Sequence, residues 1–296
     1  MSFSSDVKDE LVKIQADSLC CRHAQVYGML LFGRAFSASS VSLSTENKNV
    51  AENYINSVLE LTGIKPEFIN RGGRKITVGI TSKVQCLPVL EKFGHGSREL
   101  SRRINRANFS SECCFSAFLR GAFLSCGTLT SPEKNYRLEF VVPYLKLCGD
   151  FVKLMEELDL KPKQAKRKNS YVLFFRDSET IEDILTIMGA VNSTLELMGI
   201  KIHKDMRNMV NRKVNFETAN ITRTVEAATV QIKAIETIIN KRGLDFLPDS
   251  LREIAVLRIE NPDATLKELG EKLSEPISRS GVNHRLNKIL EMSKEI

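Results

Sequence analysis

Residues 119–127 read LRGAFLSCG, with Gly121 and Gly127 six positions apart and an apolar run between them. A glycine inside a helix costs up to about 1 kcal/mol relative to alanine, so Gly121 needs a packing reason. An earlier stretch supplies it. CCRHAQVYGMLLFG from Cys20 and CCFSAFLRGAFLSCG from Cys113 share one offset in the Cys-Cys pair, in Ala24 and Ala117, and in Gly28 and Gly121. Ala24, Gly28 and Gly33 in one copy, and Ala117, Gly121 and Cys126 in the other, fall at helical spacing. They leave flat surfaces on which two backbones can approach closely.

The duplication continues. VLELTGIKPEFINRGGRKITVGI from Val58 aligns with LMEELDLKPKQAKRKNSYVLFF from Leu154, offset by three residues more, and the turn SPEKN is the natural place for the insertion. Each half runs in the same order: an apolar helix with the glycine motif, a strand pair containing SSVSLST or YRLEFVV, an amphipathic helix, a second strand pair around a basic cluster, and a closing helix. Helices on one face of an antiparallel sheet make an α+β class, and two such halves make a pseudo-dimer. The expected boundaries are 1–95 and 96–200 for the halves, 201–224 for an Asn/Arg-rich junction, and 225–296 for an all-α domain.

Composition excludes several classes. Of 296 residues, 42% are apolar and 27% charged, as in ordinary globular chains. The longest apolar run, near Val26 to Phe36, is interrupted by Gly28, Gly33 and Arg34, so no membrane span is expected. MSFSSDVKDELVKI carries acids where a signal peptide needs basic residues, which predicts a cytoplasmic protein. Seven cysteines, with Cys20–Cys21 and Cys113–Cys114 adjacent, read as reduced thiols. A zinc site calls for spaced ligands, because neighbouring side chains seldom converge on one ion; neither metal nor cofactor is therefore expected.

A net charge of +7 and a pI near 9.0 favour a polyanionic partner. The charge is clustered. Lys161 to Arg176 holds six basic residues and no acid; Arg71, Arg74 and Lys75 form a second group, and Arg98, Arg102, Arg103 and Arg106 a third. Taken singly, each cluster also fits a solvated face.

Beyond Thr224 the chain turns helical. Gly243 and Pro262 mark stops, and Thr265 with Glu268 reads as a capping box. Leu266, Leu269 and Leu273 form one core stripe; Val282, Leu286, Ile289 and Leu290 form another. The final helix turns Ser278, Arg279, Ser280, Asn283, His284, Asn287 and Lys288 outward, with Arg285 at the border and no acid in its first turns. A short bracing helix, a brief turn and a helix with a polar, basic outer face are what a helix-turn-helix reader needs in the major groove. A three-helix interaction module with a solvated face fits the same pattern. His284 has no partner that would make it a catalytic base.

The duplicated halves resemble the LAGLIDADG homing endonucleases, whose halves pair through such helices and set their sheets as a saddle on duplex DNA. That resemblance implies an acidic metal ligand near the end of each motif helix. Cys126 and Gly33 stand at those positions, and neither replaces a carboxylate toward magnesium. Glu46, Glu133 and Glu139 are the nearby acids. With GIKIHKDMRNMVNRKVNFETANITRT between the domains, the whole chain is similar to the WhiA family of bacterial regulators. Membership implies a DNA-binding protein concerned with sporulation in some lineages and with cell division and chromosome segregation in others.

The expectation is thus a non-catalytic, nucleoid-associated regulator that binds double-stranded DNA as a monomer, with other transcription or division proteins as further partners. Arg279, Asn283, His284 and Asn287 are expected at base edges, and Arg285 and Lys288 at phosphates. Further phosphate contacts are expected from Arg71, Arg74, Lys75, Lys166, Arg167, Lys168, Arg207 and Arg212. Two rivals are a metal-dependent endonuclease and a protein-interaction scaffold.

Overall fold

The structure, a computed structural model, describes residues 2–16, 18–70, 75–99 and 101–296. Arg71 and Arg74 lie outside the described residues. The chain divides into two compact units, Met1–His203 and Lys204–Ile296.

In the first unit, α1 (Phe3–Leu11) starts on the Ser2 cap and buries Phe3, Val7 and Leu11, one side chain per turn. The first half follows as α2 (Leu19–Leu31), β1 (Ala35–Ser37), β2 (Ser40–Thr45), α3 (Lys48–Thr62), β3 (Glu67–Asn70), β4 (Ile76–Ile80) and α4 (Lys83–Lys92). The second half repeats it as α5 (Cys113–Cys126), β5 (Gly127–Leu129), β6 (Leu138–Val142), α6 (Leu145–Glu156), β7 (Lys163–Arg167), β8 (Ser170–Phe175) and α7 (Ser178–Met188). Both sheets are antiparallel with equivalent orders, β1-β2-β4-β3 and β5-β6-β8-β7. The α+β pseudo-dimer expected from the repeat is the observed fold. The link between β5 and β6 is longer than that between β1 and β2, where the offset change placed the insertion.

Alternation assigns the sheet faces, since directly opposed residues point the same way. Leu43 with Val78, and Phe140 with Leu173, face the helices and join one apolar core. The core is continuous through α2 and α5, from Tyr27 and Phe32 to Phe118, Phe123 and Phe151.

Three of the four arginines in the Arg98–Arg106 cluster pin the segment between α4 and α5 onto the fold. Arg102 is buried, donates to the Phe36 carbonyl at 2.7 Å and pairs with Glu99. Arg103 grips Asp150 in a two-pronged pair, and Arg106 grips Glu157. The Arg103 guanidinium holds the Asp150 carboxyl below its ordinary range. These side chains are partnered within the fold and do not form a free basic surface.

Residues 201–224, read above as a junction, belong to one helix, α8 (Val191–Arg242). No glycine or proline interrupts Ile200 to Arg242, and Thr224 and Thr229 fold their hydroxyls back onto Asn220 and Val225 carbonyls. The second unit contains α9 (Asp249–Glu260), α10 (Leu266–Glu271) and α11 (Arg279–Lys294) around Ile235, Ile238, Leu251, Ile254, Leu269, Val282, Leu286 and Ile289.

Candidate nucleic-acid interface

The two motif helices cross at their glycines. A Cβ on Gly28 would collide with the Phe118 carbonyl and lie 3.0 Å from the Ala122 nitrogen; one on Gly121 would collide with the Gln25 carbonyl and lie 3.0 Å from the Met29 nitrogen. The contact is reciprocal, as a pseudo-twofold requires. Ser125 seals its C-terminal end by donating to the Met29 carbonyl at 2.8 Å.

At that end a cleft of about 510 Å³ is lined by Lys8, Ser44, Glu46, Lys75, Ser125, Cys126 and neighbouring residues. The position that would carry a metal-binding acid holds Cys126, whose thiol burial pushes up to about 12, so it stays protonated at neutral pH. Opposite, α1 delivers the Lys8 ammonium, 5.7 Å over the Phe123 ring, with its pKa pulled down to about 8 by desolvation. Among the described residues, Glu46 is the one carboxylate in the lining, and it interacts electrostatically with Lys8. A single carboxylate with a neutral thiol and a cation does not supply the set of hard anionic oxygens that a catalytic magnesium ion wants. Glu139 is engaged by Arg137 at 2.8 Å and by Arg167 at 3.9 Å. No catalytic step follows from this donor set. Sequence reasoning missed Lys8 because nothing local ties α1 to a helix end more than a hundred residues away.

The sheets' open faces differ. On the first, Ser42, Ser44, Thr77 and Gly79 share the face away from the helices; they are uncharged, and all but the half-buried Ser44 are buried. On the second, Lys163 opposes Phe174, Arg167 opposes Ser170, and Arg137 stacks on Phe174 at 4.4 Å. Lys166 opposes Tyr171, which opposes core residue Val142, so Lys166 belongs to the helix-side face. This corrects its grouping with Arg167. Lys163 is the residue that alternation puts in its place. Lys168 sits at the hairpin tip with φ of +50°, and Lys75 is exposed beside β4. Arg207 and Arg212 are exposed on α8.

In the second unit, Thr265 and Glu268 form the expected capping box at α10, and Ser278 caps α11 by accepting from the Gly281 N–H. Gly270 lets the turn close, since a Cβ there would lie 2.5 Å from the Ile277 carbonyl oxygen. Arg258, 1% exposed, ties α9 to the turn before α10 through the Ala264 carbonyl at 2.8 Å. With Val282, Leu286 and Ile289 buried, Ser278, Arg279, Ser280, Asn283, His284, Asn287 and Lys288 are all exposed. From Arg279 to Lys288 they span about half the helix circumference. Arg285 is half-buried and donates to the Ser250 carbonyl at 3.2 Å, so it braces α9.

A duplicated LAGLIDADG-type α+β unit lacking the motif acids, in one chain with a helix-turn-helix unit, defines the class of protein. Sequence profiles of the WhiA LAGLIDADG-like domain and the WhiA C-terminal HTH domain match residues 115–207 and 210–293. The chain is 39% identical over 318 residues to the "Probable cell division protein WhiA" of Thermoanaerobacter pseudethanolicus, covering 100% of this chain and 98% of that one. It is 36% identical over 306 residues to the protein of the same name from Alkaliphilus metalliredigens, covering 98% and 96%. The chain belongs to the WhiA family. Its fold is that of full-length WhiA from Thermatoga maritima, with a TM-score of 0.61 at 24% identity over 100% of this chain and 99% of that one. Among the described residues, no helix is long and apolar enough to cross a membrane.

Proposed function

We propose that this chain is a non-catalytic, sequence-specific binder of double-stranded DNA that regulates transcription in connection with cell division, chromosome segregation or sporulation. The observation that carries this reading is the outer face of α11. Seven exposed side chains able to donate hydrogen bonds stand on or at the start of one braced helix, and no acid interrupts them from Ser278 to Leu290. Arg279, Asn283, His284 and Asn287 are the base readers, and Lys288 meets phosphate. Arg285 acts by holding the helix rather than by touching DNA. The first unit adds phosphate contacts through Lys163, Arg167, Arg137 and Lys75, and Arg207 and Arg212 of α8 add more.

Absence of cleavage is part of the proposal, because Gly33 and Cys126 stand at the motif positions where carboxylates would be needed, and α1 adds the Lys8 ammonium to the same cleft as Cys126. Footprinting on genomic fragments recovered by crosslinking tests the reading, followed by fluorescence anisotropy on one site with and without competitor DNA. Tight binding that survives competitor and weakens when the site is scrambled supports it. Equal affinity for every duplex, or nicking of supercoiled plasmid in magnesium, overturns it.

A further inference from the structure

Two adjacent-cysteine pairs, ninety-three residues apart in sequence, meet at the N-terminal end of the α2–α5 crossing. The Sγ atoms of Cys20, Cys21, Cys113 and Cys114 all lie within 4.8 Å of one another, and those of Cys21 and Cys113 are 3.1 Å apart. This overturns the expectation that neighbouring cysteines do not converge on one point. Each pair alone does not, but the glycine crossing stacks two pairs end to end.

We infer that these four cysteines form a tetrathiolate site for one Zn²⁺ ion, joining the two halves of the pseudo-dimer. A tetrahedral centre with Zn–S bonds of about 2.3 Å spaces its sulfurs by about 3.8 Å, inside the range observed. An iron–sulfur cluster interposes several atoms and needs its thiolates farther apart. A Cys21–Cys113 disulfide would strand the other two thiols.

Charge gives a separate observation. Arg120 lies on α5 with only 8% of its surface exposed, and its Nε and one terminal nitrogen, Nη1, have no hydrogen-bond partner. A buried, unpaired guanidinium is costly unless an anionic centre faces it. Four thiolates around a divalent ion carry a net charge of −2, and Arg120 interacts electrostatically with Cys21. The hydroxyls of Ser18 and Ser111, at 3.2 Å from Cys20 and 3.1 Å from Cys113, are outer donors that steady the thiolates. On binding, the thiols release their protons to solvent and the ion takes four S–Zn bonds; no electron is transferred.

The site does not depend on DNA binding, and its test is separate. Full-length protein purified under reducing conditions without added metal is expected to contain about one zinc per chain by mass spectrometry. Stripped, fully reduced protein titrated with Co²⁺ should develop the intense visible bands and near-ultraviolet thiolate charge transfer of a tetrahedral tetrathiolate site. That spectrum needs no substitution, so a folding defect cannot mimic its loss. Failure of the reduced wild-type chain to show it overturns the assignment. Arg120→Gln is expected to weaken zinc by about tenfold in competition with a chelator, and unchanged competition would overturn the dianionic centre.

Discussion

At Lys8 the ammonium enters a desolvated cleft, and its effect on stability depends on pH. Its pKa falls from 10.5 to about 8 on folding, so between those values the unfolded chain binds more protons than the native one. Stability from this group therefore rises across pH 8 to 10.5, and below pH 8 the full burial penalty stands. Lys8→Met is expected to be more stable than wild type at pH 7 by about 1–3 kcal/mol, with the gap closing toward pH 10.5. Paired thermal melts across that range check it, and a gap independent of pH would refute it. At Arg279, truncation to alanine should cost about 1–3 kcal/mol on the cognate site and relax discrimination at one base pair, measured by anisotropy on substituted sites. The two residues differ in how they could be read. Arg279 lies four residues from Asn283 on a visibly amphipathic helix, so local periodicity exposes it. Lys8 and the four cysteines acquire meaning only from contacts across the chain, and spacing within one segment says nothing about them.

Among the elements, α2 and α5 were legible because a costly residue recurs at the same place in two copies. Gly28 and Gly121 permit backbone contact that no side chain allows, whereas Gly149 on α6 faces open space within 4 Å. Gly28→Ala and Gly121→Ala should each destabilise by about 1–3 kcal/mol or more through overpacking. Gly149→Ala, by contrast, should leave stability unchanged or raise it by up to about 1 kcal/mol. Thermal denaturation of the three variants distinguishes a packing role from a generic glycine effect; equal shifts would contradict the crossing. The helix α8 was not legible as one element. Its stretch from Arg207 to Thr224 is exposed throughout or nearly so, so it lacks the buried stripe from which helical periodicity is read, and its asparagines resemble a linker. The β7 strand shows the opposite limit. Its basic run was plain in the sequence, but the face each residue takes depends on register, which fixes Lys163 and Arg167 together and Lys166 opposite.

For the whole molecule, a net charge of +7 says only that a polyanion is favoured, and it is the placement of the cations that separates two outcomes. Either the open face of the second sheet and the outer face of α11 engage the same duplex, or the helix-turn-helix unit binds alone and the sheet meets something else. Counterion release tells them apart, because each phosphate contact adds about 0.9 to the slope of log affinity against log salt. If the sheet is on DNA, replacing Lys163 and Arg167 by alanine should reduce that slope by about 2 while preserving base preference. Lys166→Ala, a change of the same charge on the opposite face of the same strand, should leave it nearly unchanged. Arg279→Ala should instead lose discrimination between sites. Anisotropy titrations of the variants between low and physiological salt measure all three. A slope unaffected by the Lys163 and Arg167 changes would take the sheet off the DNA and make it a docking face for a protein, with α11 alone reading sequence.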